Sequence, residues 1–245
     1  MRAKTAAFLL GWIASAGAAL AADRTEHFLV PPPVLKGIAA MPRIADPVDD
    51  AERRINAALK RLDLNVLQAA KACEGNDWSR SVDVPMRGPG FLSFTVTDSF
   101  NCEGAAHPDG GMFSIVYDLT TGRPVDWTHL LPPTLTGKLA LVDQADGTKI
   151  VTLASKRLFD LYIAGYRAGE APSDDLDECK QALQGEAADA PPEMMVWLDT
   201  KGKGLAVEVP LEHVVQACED AVVIPAAVLK AEGAQPALLK AFDSQ

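Results

Sequence analysis

Between residues 49 and 73 the apolar positions Ile55, Leu59, Leu62, Val66, Ala70 and Cys73 recur at steps of three and four. That is the period of a helix with one buried face. Arg53, Arg54, Lys60, Arg61 and Asp63 fall mainly on the other side, and Asp49 and Asp50 stand at the start, where negative charge suits the helix dipole. The pattern then changes to period two. Ser81–Met86, Phe91–Asn101 and Met112–Leu119 are rich in Phe, Val, Thr and Tyr, and Leu92, Phe94 and Val96 share one face of the second strand. Leu119 to Arg123 reads as a tight turn with Gly122 free to take positive φ, and Val125-Asp126-Trp127 as the returning strand.

Helical spacing returns over Thr148–Arg167, carried by Val151, Ala154, Leu158, Leu161 and Tyr162, and a shorter helix follows near Asp174–Leu183. Met194–Leu198, Gly204–Val209 and Ala221–Ile224 predict three further strands, and His27–Val30 a short first one. Ala226–Phe242 is helical in pattern, broken at Gly233 and Pro236. Runs of strands alternating with runs of helices predict an α+β fold, an antiparallel sheet with packed helices. Hairpin turns argue against a doubly wound parallel sheet, whose strands need long crossovers.

The first residues change the picture of where this fold works. Arg2 and Lys4 precede an apolar, small-residue-rich run from Ala6 to Leu20, which exits through Ala19-Leu20-Ala21-Ala22 into polar Asp23. These are the three parts of a secretory signal peptide. The run is about 15 residues, short of the roughly 20 that span a bilayer as a helix. The expected organisation is a signal peptide over 1–22 and a single α+β domain over 23–245, periplasmic or secreted, with no transmembrane segment after cleavage. Losing Arg2 and Lys4 takes the net charge from −10 to −12. An acidic chain lacks the basic face that nucleic acid requires; its summed field suits a basic partner.

Cys73, Cys102, Cys179 and Cys218 are an even set behind an export signal, which predicts two disulfides. Cys73–Cys102 and Cys179–Cys218 are the favoured pairs, since each staples neighbouring elements within one half of the chain. Metal ligands come at close spacings, which neither these cysteines nor the four histidines show, so no metal or cofactor is expected.

Two stretches carry a resemblance. Gly104-Ala105-Ala106-His107, followed by Tyr117 to Leu131 with its Asp118-Leu119-Thr120-Thr121-Gly122 turn, is similar to the core of a domain-of-unknown-function family. That family occurs in the extracellular part of the lysozyme-sensing anti-sigma factor and as an accessory domain of peptidoglycan deacetylases. Pro210 to Ala217 followed by Val222 to Pro225 resembles its closing strand, and Val34 to Gly37 its first segment. The resemblance implies an envelope-facing domain that binds or senses, with lysozyme or a peptidoglycan fragment as partner and no catalysis of its own.

The candidate ligand residues are His107 and Asp109, in a glycine-rich polar loop tethered at Cys102, and Trp127 and His129 beyond the turn. A histidine beside carboxylates on a fixed loop can hold a ligand or move a proton; tryptophan can stack on a sugar or anchor a protein. Two alternatives remain. One is an envelope hydrolase or deacetylase using His107 with Glu103 or Asp109, the other a structural envelope protein. No Gly-x-Ser-x-Gly elbow or phosphate loop is present.

Overall fold

The structure is a computed structural model describing residues 27–73, 77–167, 173–186, 190–211 and 213–243. The signal-peptide segment lies outside the described residues. In chain order the elements are β1 (Phe28–Leu29), β2 (Arg43–Ile44), α1 (Asp50–Ala72), β3 (Asp77–Arg87), β4 (Phe91–Asn101), β5 (Asp109–Asp118) and β6 (Arg123–Pro124). A 3₁₀ turn (Trp127–His129), α2 (Pro133–Thr136), β7 (Lys138–Asp143), β8 (Lys149–Ala154), α3 (Lys156–Gly165) and α4 (Ser173–Glu186) follow. The chain ends with β9 (Met195–Asp199), β10 (Gly204–Glu208), a second 3₁₀ turn (His213–Cys218), β11 (Val222–Pro225), α5 (Ala226–Glu232) and α6 (Pro236–Asp243).

All ladders between these strands are antiparallel, in sheets ordered β3-β4-β5-β6, β11-β10-β9, β7-β8 and β1-β2. The fold is α+β with antiparallel sheets, as the patterning predicts.

Alpha-1 begins where the sequence indicates. Asp49 caps it by accepting from the Glu52 amide at 2.9 Å, and Cys73 closes it. Its apolar stripe, Ile55, Leu59 and Leu62, lies on Leu92, Phe94 and Val96 of β4 and on Phe113 and Tyr117 of β5. Gly122, at φ +66°, holds the β5–β6 turn against the start of α1, where a Cβ would come within 2.3 Å of the Ala51 carbonyl oxygen.

The other face of β4 and β5 carries Phe91, Ser93, Ser114 and Val116, and β9 crosses it. Two serines bridge the sheets directly: Leu198 N donates to Ser93 Oγ at 3.0 Å, and Ser114 Oγ donates to the Val196 carbonyl at 3.1 Å. Behind β9–β11, Leu158, Tyr162, Leu229, Leu238 and Phe242 from α3, α5 and α6 complete the larger core.

Both disulfides pair as expected, Cys73–Cys102 and Cys179–Cys218, with Cα separations of 4.8 and 5.2 Å. They close 29- and 39-residue separations, worth roughly 3–4 kcal/mol each by chain entropy. The first ties the end of α1 to the end of β4; the second ties α4 to the turn before β11.

Two sequence expectations are corrected. The returning strand is only Arg123–Pro124, and Trp127 sits in a 3₁₀ turn. Asp126 explains this: its carboxylate accepts from the Thr128 amide at 3.0 Å and from the Thr128 hydroxyl at 2.6 Å, which favours a capped turn over a ladder. Thr148–Arg167 is a strand and then a helix. Ile150, Val151 and Thr152 are β-branched and pair with β7, and Ser155 starts α3 by accepting from Leu158 N at 3.1 Å. Val151 and Ala154 match the helical spacing by coincidence of register.

The β7–β8 hairpin is fastened by one buried cation. Arg80 of β3, whose side chain is 0% exposed, donates to Asp98 of β4 at 2.7 and 2.5 Å and to Asp146 of the β7–β8 turn at 2.8 Å. Its guanidinium lies 5.6 Å from the centre of the Phe113 ring. Trp78 Nε1 also donates to Asp98, and the Thr148 amide to Asp146. Burial opposes the charge on Arg80, but the bonds and fields of the two aspartates outweigh it and hold the guanidinium above its ordinary pKa.

Removing one partner strands buried charge, at about 3–5 kcal/mol. Asp146→Ala is therefore expected to cost about 3 kcal/mol in denaturant unfolding. It should also speed amide exchange in β7 and β8 more than in β4. Unchanged stability would contradict the clamp.

Candidate functional site

A groove of about 500 Å³ opens between α1, β5 and β8. Its roof is α1, where Arg54, Ala57, Ala58 and Arg61 stand within two turns of one another. Its floor is β5 from Ser114 to Tyr117, one wall is β8 with Leu141 of β7, and Arg123, Val125 and Trp127 close one end.

Arg54, Arg61 and Arg123 are exposed, and their guanidiniums enter no ion pair among the described residues. Arg54 Nε donates to the Asp50 carbonyl, which aims its head along the helix. The apolar side is equally distinctive, since Leu141 is 63% exposed at the groove wall. Tyr117 is pushed up to about 12 by burial, against the pull of Arg61, so its hydroxyl stays protonated and neutral. The groove thus offers three cationic heads over an apolar bed, within a protein whose net charge is −10.

The candidate residues read from the sequence do not meet. His107 and Asp109 are exposed at the β4–β5 hairpin tip, where His107 Nδ1 lies 3.0 Å from the Pro108 carbonyl and Asp109 accepts from the Gly110 amide at 2.7 Å. Beta-5 then runs ten residues, roughly 30 Å, before the turn that leads to Trp127 and His129. Trp127 is 4% exposed and belongs to the core while closing the groove's end. His129 is exposed, 3.9 Å from an Asp126 carboxylate oxygen, in a separate pit of about 210 Å³ lined also by Asp118 and Arg123.

The groove's own residues carried only a faint signal in sequence. Arg54 and Arg61 are seven apart with Ala57 and Ala58 between them, which places two cations on one helix face with space beneath. On the helix alone, that face reads as solvated.

A second group of ionisable side chains lies away from the groove. Glu208 of β10 is 8% exposed, near Glu219 and Asp220. Glu219 accepts from the Leu211 amide at 2.6 Å, and the Tyr162 and Tyr166 hydroxyls donate to the carbonyls of Asp220 and Cys218. Burial, reinforced by the Glu219 and Asp220 charges, raises Glu208 to about 8. Burial also raises Glu219.

No family model and no curated protein matches the chain. Among solved structures, a DUF3298 family protein from Pseudomonas aeruginosa PAO1 is 15% identical, with 66% of this chain aligned at a TM-score of 0.39. The chain spans 64% of that protein's length. A member of the same family from Bacteroides fragilis NCTC 9343 is 12% identical, with 90% of this chain and 96% of that one aligned at a TM-score of 0.52. With the Bacteroides protein the chain shares a fold.

The raised Glu208 predicts a pH dependence. Between the ordinary carboxylate pKa of 4.5 and about 8, the folded state holds a proton that the unfolded state releases, so stability falls as pH rises across that window. Glu208→Gln should flatten the fall and be more stable than the parent at pH 8 by about 2 kcal/mol. Thermal unfolding of both proteins at pH 5 and pH 8 checks this; equal slopes would contradict it.

Proposed function

We propose that this chain is a non-catalytic binding domain of the cell envelope that captures an anionic ligand in the groove between α1, β5 and the β7–β8 hairpin. The observation that carries the reading is the trio Arg54, Arg61 and Arg123, exposed and outside any described ion pair, over an apolar floor. Guanidiniums bind carboxylates through paired, charge-assisted hydrogen bonds. The apolar floor suits a ligand with a non-polar body.

Export is supported by the N-terminal pattern and by two disulfides, which persist in oxidising compartments. Among the described residues no helix is long and apolar enough to cross a membrane. In such a compartment a peptidoglycan fragment, a sugar chain bearing carboxylates, has the chemistry the groove favours. This reading takes the sequence resemblance to the lysozyme-sensing family toward the cell-wall side of that family's surroundings.

Lysozyme is the second reading, and a different surface favours it. The chain is acidic overall, and Glu103 and Asp109 flank His107 on an exposed tip held by the Cys73–Cys102 bond. A basic protein would meet this tip, since the arginine-lined groove repels it.

The test is calorimetric titration of the oxidised chain with soluble peptidoglycan fragments and, separately, with lysozyme, at physiological salt. Fragments are expected to bind, with Arg61→Ala and Arg123→Ala each weakening binding about tenfold, the value of one charge-assisted bond. Fragment binding indifferent to both variants would overturn the groove reading. Lysozyme binding lost in Glu103→Ala would favour the tip instead. Release of new reducing ends or acetate, abolished by His107→Ala, would make the protein an enzyme.

A further inference from the structure

The chain has three tyrosines, Tyr117, Tyr162 and Tyr166, and all three are buried. A buried tyrosine normally gives its hydroxyl a hydrogen-bond partner. Tyr162 and Tyr166 do so, donating to the Asp220 carbonyl at 3.0 Å and to the Cys218 carbonyl at 2.7 Å. The hydroxyl of Tyr117, a residue only 3% exposed, makes no hydrogen bond among the described residues. The described side-chain atoms that are both sealed and unpartnered are Arg80 Nη1 and Thr200 Oγ1. The Tyr117 oxygen therefore keeps an opening, and the surface that Tyr117 lines is the groove.

Strand alternation sends Phe113, Ile115 and Tyr117 to the α1 side of β5, where all three join the cluster under the helix. The Tyr117 ring meets Phe94 edge-on, with centroids 6.2 Å apart, which fixes the direction of its hydroxyl. Arg61 is the guanidinium whose field reaches that hydroxyl. The helix neighbours of Arg61 at i±3 and i±4 are Ala57, Ala58, Leu64 and Asn65, so no carboxylate on α1 competes for it. Arg54 lies two turns away, about 10 Å along the helix axis. The Gly122 turn, packed on Ala51, places Arg123 at the Arg54 end. One end of the groove thus carries two guanidiniums, and the other carries one guanidinium above a hydroxyl. The lining holds no carboxylate among the described residues, in a chain with 33 aspartates and glutamates.

We propose that the Tyr117 hydroxyl and the Arg61 guanidinium form a seat for one carboxylate of the bound ligand, each donating to one of its oxygens. This rests on the groove being the ligand site and names the group that the site reads. Burial keeps the Tyr117 hydroxyl protonated well above neutral pH, so it stays a donor. One cation and one neutral donor match a single negative charge, through bonds of the charge-assisted kind. A dianionic phosphate would leave half its charge uncompensated there. A primary amide would turn its N–H groups toward those of the guanidinium, donor against donor. Ala58, Ile115 and Ile150 line the same groove and offer an apolar bed to the carbon that bears the carboxylate. The seat therefore distinguishes a free acid from its amide.

The test titrates the full oxidised chain with soluble peptidoglycan fragments, and with the same fragments after their carboxylates are converted to amides. The acid form is expected to bind, and the amide form about tenfold more weakly. Tyr117→Phe keeps the ring and removes only the oxygen. It should lose about tenfold for the acid form and about twofold at most for the amide, with a thermal midpoint equal to or above the parent's. A merely structural hydroxyl would move the midpoint and treat both forms alike. With tyrosines labelled at the ring carbon that bears the oxygen, three NMR signals are expected. The one missing from Tyr117→Phe should shift during the titration, while those of Tyr162 and Tyr166, already bonded to carbonyls, should hold still. Equal binding of the acid form by parent and Tyr117→Phe, or a stationary Tyr117 signal, would overturn the seat. Displacement of the acid form by inorganic phosphate at equal concentration would overturn its assignment to a carboxylate. Arg61-dependent binding with no Tyr117 effect removes the seat and leaves the groove as the ligand site. If the parent binds no fragment, both readings fall.

Discussion

A guanidinium sealed from water at Arg80 sets where the chain's parts must lie. A bare cation there would be prohibitive to bury, so the fold brings one carboxylate from β4 and another from the β7–β8 turn to meet it. Asp98 is the cross-strand partner of Arg80 in the β3–β4 hairpin, but Asp146 is 66 residues away, so the second bond joins parts of the chain that nothing local connects. Asn65 of α1 adds a bond to Thr148 beside the clamp. With the turn held there, β8 must run along the flank of β5 under α1, and the groove is what lies between them. The clamp is therefore structural in its own chemistry and decisive for the position of the site.

The opposite face imposes a second constraint. Ser93 and Ser114 hold β9 against β4 and β5 through their hydroxyls, leaving that side of the sheet filled. Access to β5 is left from the side of α1 and the hairpin, which is where the arginines stand. A rigid floor with a cationic roof favours a ligand whose shape and charge are both specified, since little ordering remains to be done on binding. The chain as a whole carries a net charge of −10, so the groove's positive charge stands against the sign of the protein's total. Salt will weaken long-range attraction into it more than contact within it.

Alpha-1, β4, the Gly122 turn, the last three strands and the two C-terminal helices were legible in the sequence because each rests on information within a few residues: an apolar period, a capping aspartate, a glycine, a proline. The cysteine pairing was legible for a related reason, since each bond joins elements close in the chain. Lys138–Asp143 was not recognisable as a strand, because Leu139 and Leu141 on its exposed side are as apolar as Ala140 and Val142 on the other, which erases the alternation. The neighbouring β8 matches a helical period as well, because Ile150, Val151, Thr152 and Leu153 fit either spacing until a partner strand arbitrates.

Of the candidate site, Trp127 alone was marked in advance and also lines the groove, and it does so from the core. A returning strand through Trp127 would carry His129 back toward His107 and Asp109, but that strand ends at Pro124 and the length of β5 keeps them apart. Sequence by itself determined the helix–strand order in most of the chain, the α+β class, the disulfides and the acidic charge, since these depend on composition and short-range pattern. Tertiary structure alone decided that Arg80 is buried while Arg54, Arg61 and Arg123 converge, and that β5 and β8 flank one groove. Burial and convergence are properties of distant segments brought together, and no local pattern encodes them.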